Sequence, residues 1–125
     1  MDVIYVGVDL GKHFHQVAVV DGAQQTIGES FRIGRGRAGV QELLQRLGFL
    51  VAKPADLVVT IEATSDYWWE LSWDLMERGS VVYLAHPKKA HDLRRFFAVH
   101  TKTDVTDAES LVRCRFLWTR TTEMR

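Results

Sequence analysis

Two short apolar runs that each end in an acid constrain the fold of this chain most strongly. Residues 3–9 read VIYVGVD and residues 57–62 read LVVTIE, so each run stays largely apolar until its last residue. Runs of this length are typical of strands that are buried on both faces, in the centre of a sheet flanked by helices. The sequence therefore predicts two central parallel strands with Asp9 and Glu62 at their carboxyl ends.

Periodicity and turn residues predict the remaining elements. Three further strands are expected from apolar alternation and flanking glycines, at residues 14–21, 26–33 and 80–85. Helices are expected from apolar residues three and four apart and from capping residues, around residues 40–47, over 66–78, over 88–99, and from Thr106 onward. This order predicts an α/β fold, with a mixed five-stranded sheet in strand order 3-2-1-4-5 flanked by helices, as in ribonuclease H-like domains.

Length and composition limit the classes of protein to which this chain can belong. We expect residues 1–125 to form a single domain with its own core, because 125 residues are too few for two. No apolar run approaches the roughly 20 residues that a membrane-spanning helix needs, and no signal peptide is recognisable. The single cysteine, Cys114, cannot form an internal disulfide. These features favour a cytoplasmic protein with no membrane partner.

The net charge is zero, but charge is unevenly distributed along the chain. Residues 1–85 carry 7 Lys and Arg against 11 Asp and Glu, whereas residues 86–125 carry 9 against 5. A metal site beside a phosphate-binding surface would produce an acidic half next to a basic half. Chance also produces asymmetry of this size, so the pattern supports a nucleic-acid partner without establishing one.

Asp104 and Asp107 join the two strand-end acids as candidate metal ligands. They lie three residues apart at the predicted start of the last helix, so both can point to one side. Each acid also has a structural explanation, since acids cap turns and stabilise helix starts. Four carboxylates at one sheet edge would repel each other unless cations neutralise them, and Mg²⁺ prefers oxygen ligands of this kind.

Four motifs make a family resemblance specific. The stretches VGVDLGK, TIEATSDYWWEL, HPKKAHDLRRF and TKTDVTDAESL, within residues 3–112, resemble the N-terminal domain of DEDD-type insertion-sequence transposases. This family includes bridge-RNA-guided recombinases and pilin-gene DNA invertases. The resemblance implies a RuvC-like fold that acts on DNA and binds two Mg²⁺ or Mn²⁺ ions. Its implied catalytic and metal-binding tetrad is Asp9, Glu62, Asp104 and Asp107.

The chain departs from the family pattern in two ways. Ser65 occupies a position that is usually Gly, in the turn after the glutamate. Family members also have a C-terminal domain whose serine is implicated in strand cleavage, and nothing in these 125 residues corresponds to it. We therefore expect an excised or truncated catalytic domain that is incomplete without that partner domain. Whether it uses a guide RNA stays open.

Basic residues between the fifth strand and the last helix are candidate phosphate contacts. The nucleic-acid-binding set is Lys88, Lys89, Arg94, Arg95 and Lys102. Such residues give affinity and register on a phosphate backbone without reading sequence. The same residues would also suit a solvated helix face.

The helix over residues 66–78 carries Trp68, Trp69 and Trp73 among other apolar residues. Their spacing gives a broad apolar face, which favours packing or an interface over stacking on bases. One small sheet offers too little surface to cover that face, so we expect a homo-oligomer or docking of the C-terminal domain. His13 and His15 flank the first turn, and a metal-ligand role for them is disfavoured.

Two other classes of protein stay open. Actin-like ATPases and sugar kinases share the sheet and the opening strand–turn–strand, although the further phosphate loop that they need is not found downstream. A non-catalytic nucleic-acid-binding and dimerisation module would use the same acids only as caps. ATP binding would favour the first class, and indifference to divalent cations would favour the second.

Overall fold

The computed structural model describes residues 3–62, 67–85 and 107–114, together with Asp92 and Arg95. The five strands are β1 (Ile4–Asp9), β2 (Phe14–Val20), β3 (Phe31–Gly34), β4 (Leu57–Glu62) and β5 (Val81–Ala85). The helices are α1 (Gly36–Leu47), α2 (Tyr67–Glu77) and α3 (Asp107–Cys114), and a short 3₁₀ turn covers Pro54–Asp56. No helix in these ranges is long and apolar enough to cross a membrane.

The five strands form one mixed sheet in the order β3-β2-β1-β4-β5. Strand β2 pairs antiparallel with both β1 and β3, while β4 pairs parallel with both β1 and β5. The α/β class and the strand order predicted from the sequence are confirmed. β1 and β4 lie inside the sheet, which explains why their sequences are almost continuously apolar.

The third strand is shorter than the range 26–33 predicted from the sequence. Thr26 forms only an isolated bridge with Val20, and regular pairing begins at Phe31. Between them Gly28 adopts a left-handed conformation with φ of 68°, which a continuous strand does not allow. In the basic segment, Asp92 and Arg95 are helical, and the other residues of the predicted helix 88–99 lie outside the described ranges.

Helices α1 and α2 cover one face of the sheet. The strand residues that point to them are apolar and buried: Val6, Val8, Val17, Val19, Ile33, Val59, Ile61 and Val82. From the helices, Leu43 and Leu75 are fully buried against these side chains. The main hydrophobic core of the domain therefore lies between the sheet and these two helices.

Helix α3 packs on the opposite face of the sheet. Gly7 of β1 lies against the carbonyl oxygen of Ala108, and a Cβ at residue 7 would also lie 2.7 Å from the backbone nitrogen of Val112. A side chain at this position would therefore hold the helix away from the strand. Further along, Leu111 packs against Ala85 at the end of β5. The absence of a side chain at Gly7 thus lets α3 approach the centre of the sheet.

Candidate active site at the strand ends

Asp9 and Glu62 end two neighbouring parallel strands at the same level. Val8 pairs with Ile61 in the register of β1 and β4, and the next residue on each strand is the acid. Neighbouring strands lie about 4.8 Å apart, and residues in register project to the same face. The two carboxylates predicted to meet at one sheet edge are therefore brought together by backbone pairing.

Strand alternation places this pair on the face that α3 covers. Gly7, which contacts α3, lies two residues before Asp9, and its partner Thr60 lies two residues before Glu62. Since side chains alternate between faces along a strand, the acids share the face of Gly7 and Thr60. The candidate site therefore lies at the carboxyl edge of the sheet, on the face that α3 covers.

The start of α3 supplies the third predicted acid. Asp107 is the first described residue of the helix and directly precedes Ala108, whose carbonyl oxygen lies against Gly7. The backbone of Asp107 thus lies beside the strand that ends at Asp9. The fourth predicted ligand, Asp104, lies outside the described residues.

The burial of the two strand-end acids differs. Glu62 is 7% exposed, whereas Asp9 is partly exposed at the edge. A buried carboxylate is costly unless hydrogen bonds or a cation compensate for the water it has lost. Carboxylate oxygens are ligands that Mg²⁺ and Mn²⁺ prefer. Among the residues that the structure describes, however, no three His, Cys, Asp or Glu side chains form a metal-binding cluster.

The histidines near the first turn lie apart from these acids. His15 lies two residues before Val17 on β2, so both side chains point to the same face of the sheet. This is the face that α1 and α2 cover, opposite to the acids. The buried imidazole accepts a hydrogen bond on Nδ1 from the backbone N–H of Gly11, at 3.1 Å. Burial, and secondarily the positive charge of Arg35, lower the pKa of His15 from its ordinary value and so favour the neutral ring. His13 is exposed.

Of the five basic residues predicted to contact phosphates, the structure describes one, Arg95. Arg95 is helical and exposed, as a phosphate contact requires. The other members of the set, Lys88, Lys89, Arg94 and Lys102, lie outside the described residues.

The broad apolar face predicted for α2 divides into two parts. Leu71, Leu75 and Met76 are buried against the sheet, whereas Trp69 and Trp73 are 46% and 43% exposed. Gly7 and Thr60, which lie two residues before the strand-end acids on the same face, were not predicted from the sequence to matter for the candidate site. The signal for Gly7 was a single glycine inside an apolar strand, which often marks close approach of another backbone.

Comparison with known proteins agrees with this architecture. The model of the DEDD transposase family of IS110 elements, described as "Transposase", matches residues 6–123. No curated protein matches the chain. Among solved structures, RuvC of T. thermophilus in complex with a Holliday junction substrate superposes with a TM-score of 0.55 at 12% identity, covering 88% of this chain and 90% of that one.

A second solved structure has a lower similarity. It is the inorganic polyphosphate/ATP-glucomannokinase of Arthrobacter sp. strain KM, with a TM-score of 0.44 at 18% identity, covering 74% of this chain and 47% of that one. A TM-score this low carries no weight for function. The likeness to RuvC extends over nearly the whole length of both chains and shows a RuvC-like fold.

Proposed function

Because the chain belongs to the transposase family of IS110 elements, we propose that it is the metal-dependent catalytic domain of a DNA transposase or site-specific recombinase. Its substrate in this proposal is the phosphodiester bond of DNA. The observation that carries the proposal is the shared level and face of Asp9 and Glu62 at the carboxyl edge of the sheet. Ligands of open α/β sheets bind at this edge.

The proposed metal site uses the four acids Asp9, Glu62, Asp104 and Asp107 as oxygen ligands for two Mg²⁺ or Mn²⁺ ions. When bound, such ions supply charge stabilisation for the attacking and leaving oxygens of a phosphodiester. The chain's own contribution is to hold the carboxylates in place. Asp9 and Glu62 are fixed by neighbouring strands, and the packing of α3 on Gly7 supports a position for Asp107 beside them.

The proposed DNA contacts are Lys88, Lys89, Arg94, Arg95 and Lys102. Their role is to bind phosphates and set the register of the duplex rather than to read bases. Lys102 precedes Asp104 by two residues, so it is the best-placed candidate for the phosphate beside the metal site. Arg95 is exposed, which supports its assignment.

We further propose that this domain works with other parts of a larger assembly. The family pattern implies a serine-bearing C-terminal domain for strand cleavage, and the broad apolar face predicted for α2 implies self-association or docking of that domain. The exposure of Trp69 and Trp73 agrees with the docking of another protein segment on α2. A guide RNA is an additional partner in some members of the family, and the cytoplasm is the compartment that fits all these partners.

Calorimetric titration with Mg²⁺ and Mn²⁺ tests the metal site. We expect the wild-type chain to bind the cations and Asp9→Ala to lose most of that binding, because a ligand has been removed. Glu29→Gln is the matched control, since Glu29 is an exposed acid outside the strands. Equal binding by all three proteins, or no binding by the wild type, would exclude the proposed site.

A further inference from the structure

An open cleft lies between α1 and α2, on the face of the sheet opposite to Asp9 and Glu62. Its volume is about 410 Å³. Helix α1 contributes Arg37 and Val40, helix α2 contributes the larger share of the wall, and the buried ring of His15 completes it. The cleft is separate from the proposed metal site, so a ligand in the cleft would not depend on a cation at that site.

Two tryptophans give the cleft an aromatic wall. Trp69 and Trp73 lie one helical turn apart on α2, with ring centroids 5.5 Å apart and planes inclined by 31°. Each is almost half exposed. The indole N–H of Trp73 donates a hydrogen bond to a carboxylate oxygen of Glu77 at 2.9 Å, which fixes that ring. Exposed indole faces held in this way attract cations.

Acids outnumber bases along the same wall. Among the described residues that line the cleft, Glu70, Asp74 and Glu77 are acidic and Arg37 alone carries a positive charge. Two of these acids have intramolecular ion pairs, Glu70 with Arg35 at 3.6 Å and Asp74 with Arg78 at 2.8 Å. Glu77 forms no ion pair with any described residue, and its carboxylate lies beside the indole of Trp73. Aromatic rings therefore lie beside a carboxylate that has no ion pair within the described ranges of the chain.

This combination discriminates between classes of partner. Nucleic acid is disfavoured beside Trp73, because the carboxylate of Glu77 would repel its phosphates. A symmetric contact between the α2 helices of two copies is also disfavoured, because the Glu77 side chains of the two helices would approach each other. An arginine side chain matches both features, since its planar guanidinium stacks on aromatic rings and pairs with carboxylates.

We propose that the α1–α2 cleft is a docking site for an arginine-bearing segment of a partner protein. In this arrangement a guanidinium stacks against Trp69 and Trp73 and pairs with Glu77. The ion pair between Arg35 and Glu70 joins the start of α1 to α2, so the wall is formed before the partner arrives. The remaining contacts are apolar, from the side chains that line the cleft.

A synthetic peptide of alternating arginine and alanine provides the probe. It is titrated into the full chain while the indole N–H resonances of Trp69 and Trp73 are followed by NMR. We expect both resonances to shift, Glu77→Gln to weaken binding roughly two- to fivefold, and Trp69→Leu to weaken it by a similar factor. Glu42→Gln is the matched control, because Glu42 is an α1 acid that does not line the cleft.

Several results would overturn the proposal. Equal peptide binding by wild type and Glu77→Gln would do so, as would shifts elsewhere in the chain with none at Trp69 and Trp73. A dimer in sedimentation that Trp69→Leu abolishes, without peptide binding, would assign the cleft to a second copy. Single-stranded DNA that shifts the same two resonances would assign it to nucleic acid. Circular dichroism of each variant verifies that the fold is retained.

Discussion

Gly7 of β1 lies directly against the carbonyl oxygen of Ala108 in the first turn of α3. This contact brings the helix that begins at Asp107 onto the strand that ends at Asp9. The position of the helix therefore depends on a residue without a side chain, in the middle of a strand where β-branched residues otherwise prevail. The proposed active site depends on the same contact.

Replacing Gly7 by Ala should destabilise the protein. The new Cβ would overlap the backbone of α3, and overpacking of this kind costs about 1–3 kcal/mol of the free energy of unfolding. Urea unfolding followed by circular dichroism measures the change. Gly34→Ala is the control, since a Cβ there meets nothing within 4 Å and should alter stability by less than about 0.5 kcal/mol. Equal effects of both substitutions would contradict the packing described.

The stability of the fold should fall as the pH is lowered through the titration range of His15. Burial, and then the charge of Arg35, lower the pKa of His15 from its ordinary value of 6.5. The unfolded chain therefore binds a proton more readily than the folded one, and stability present above pH 6.5 is lost as the pH falls toward the folded pKa.

Urea unfolding at about pH 7.5 and about pH 5.5 measures this effect. His15→Gln should show a smaller loss of stability between the two values than the wild type. His13→Gln should keep the wild-type loss, because His13 is exposed. If the two variants behave alike, the buried environment of His15 is not the source of the pH dependence.

The response of stability to Mn²⁺ should depend on Glu62. Without divalent cations, Glu62→Gln should leave the free energy of unfolding nearly unchanged or increase it. The reason is that acids that serve a function often lower the stability of the fold. With excess Mn²⁺ the wild type should become more stable by mass action, and the variant should gain much less. Thermal unfolding in EDTA and in Mn²⁺ separates these effects. The same Mn²⁺-dependent gain in both proteins would place the cation elsewhere.

Arg95 should contribute to the affinity for DNA and to the dependence of that affinity on salt concentration. If Arg95 contacts one phosphate, Arg95→Gln should lower affinity for duplexes of any sequence and reduce the slope of log K against log salt by about 0.9. Fluorescence anisotropy at several salt concentrations measures both quantities. Arg46→Gln serves as the control, since Arg46 is an exposed arginine on α1 that pairs with Glu42. An unchanged slope for Arg95→Gln would remove this residue from the proposed interface.

Much of the sheet could be predicted from the sequence because its central strands are unambiguous. The apolar runs of β1 and β4 admit few alternatives, and parallel pairing then brings Asp9 and Glu62 to one edge. The third strand was predicted too long, because alternation over 26–33 does not reveal the left-handed conformation of Gly28. Local backbone conformation overrode the apolar pattern there.

Two features could not be predicted from the sequence: the helix that covers the strand-end acids, and the cleft beside α2. Strand alternation puts both acids on one face of the sheet, but which helix covers that face depends on the tertiary contact between α3 and Gly7. On α2, helical spacing alone does not show which residues the sheet covers. Leu71 and Leu75 are buried, whereas Trp69 and Trp73 are left half exposed beside acids contributed by the same helix.

The most direct test of the central claim is a crystal structure of this chain grown with Mn²⁺, using the anomalous scattering of the metal. We predict anomalous peaks within coordination distance of the carboxylates of Asp9 and Glu62, with Asp104 and Asp107 completing the ligand set. Ordered carboxylates without an anomalous peak between them, or a peak held by other residues, would contradict the proposal that these acids form the metal site.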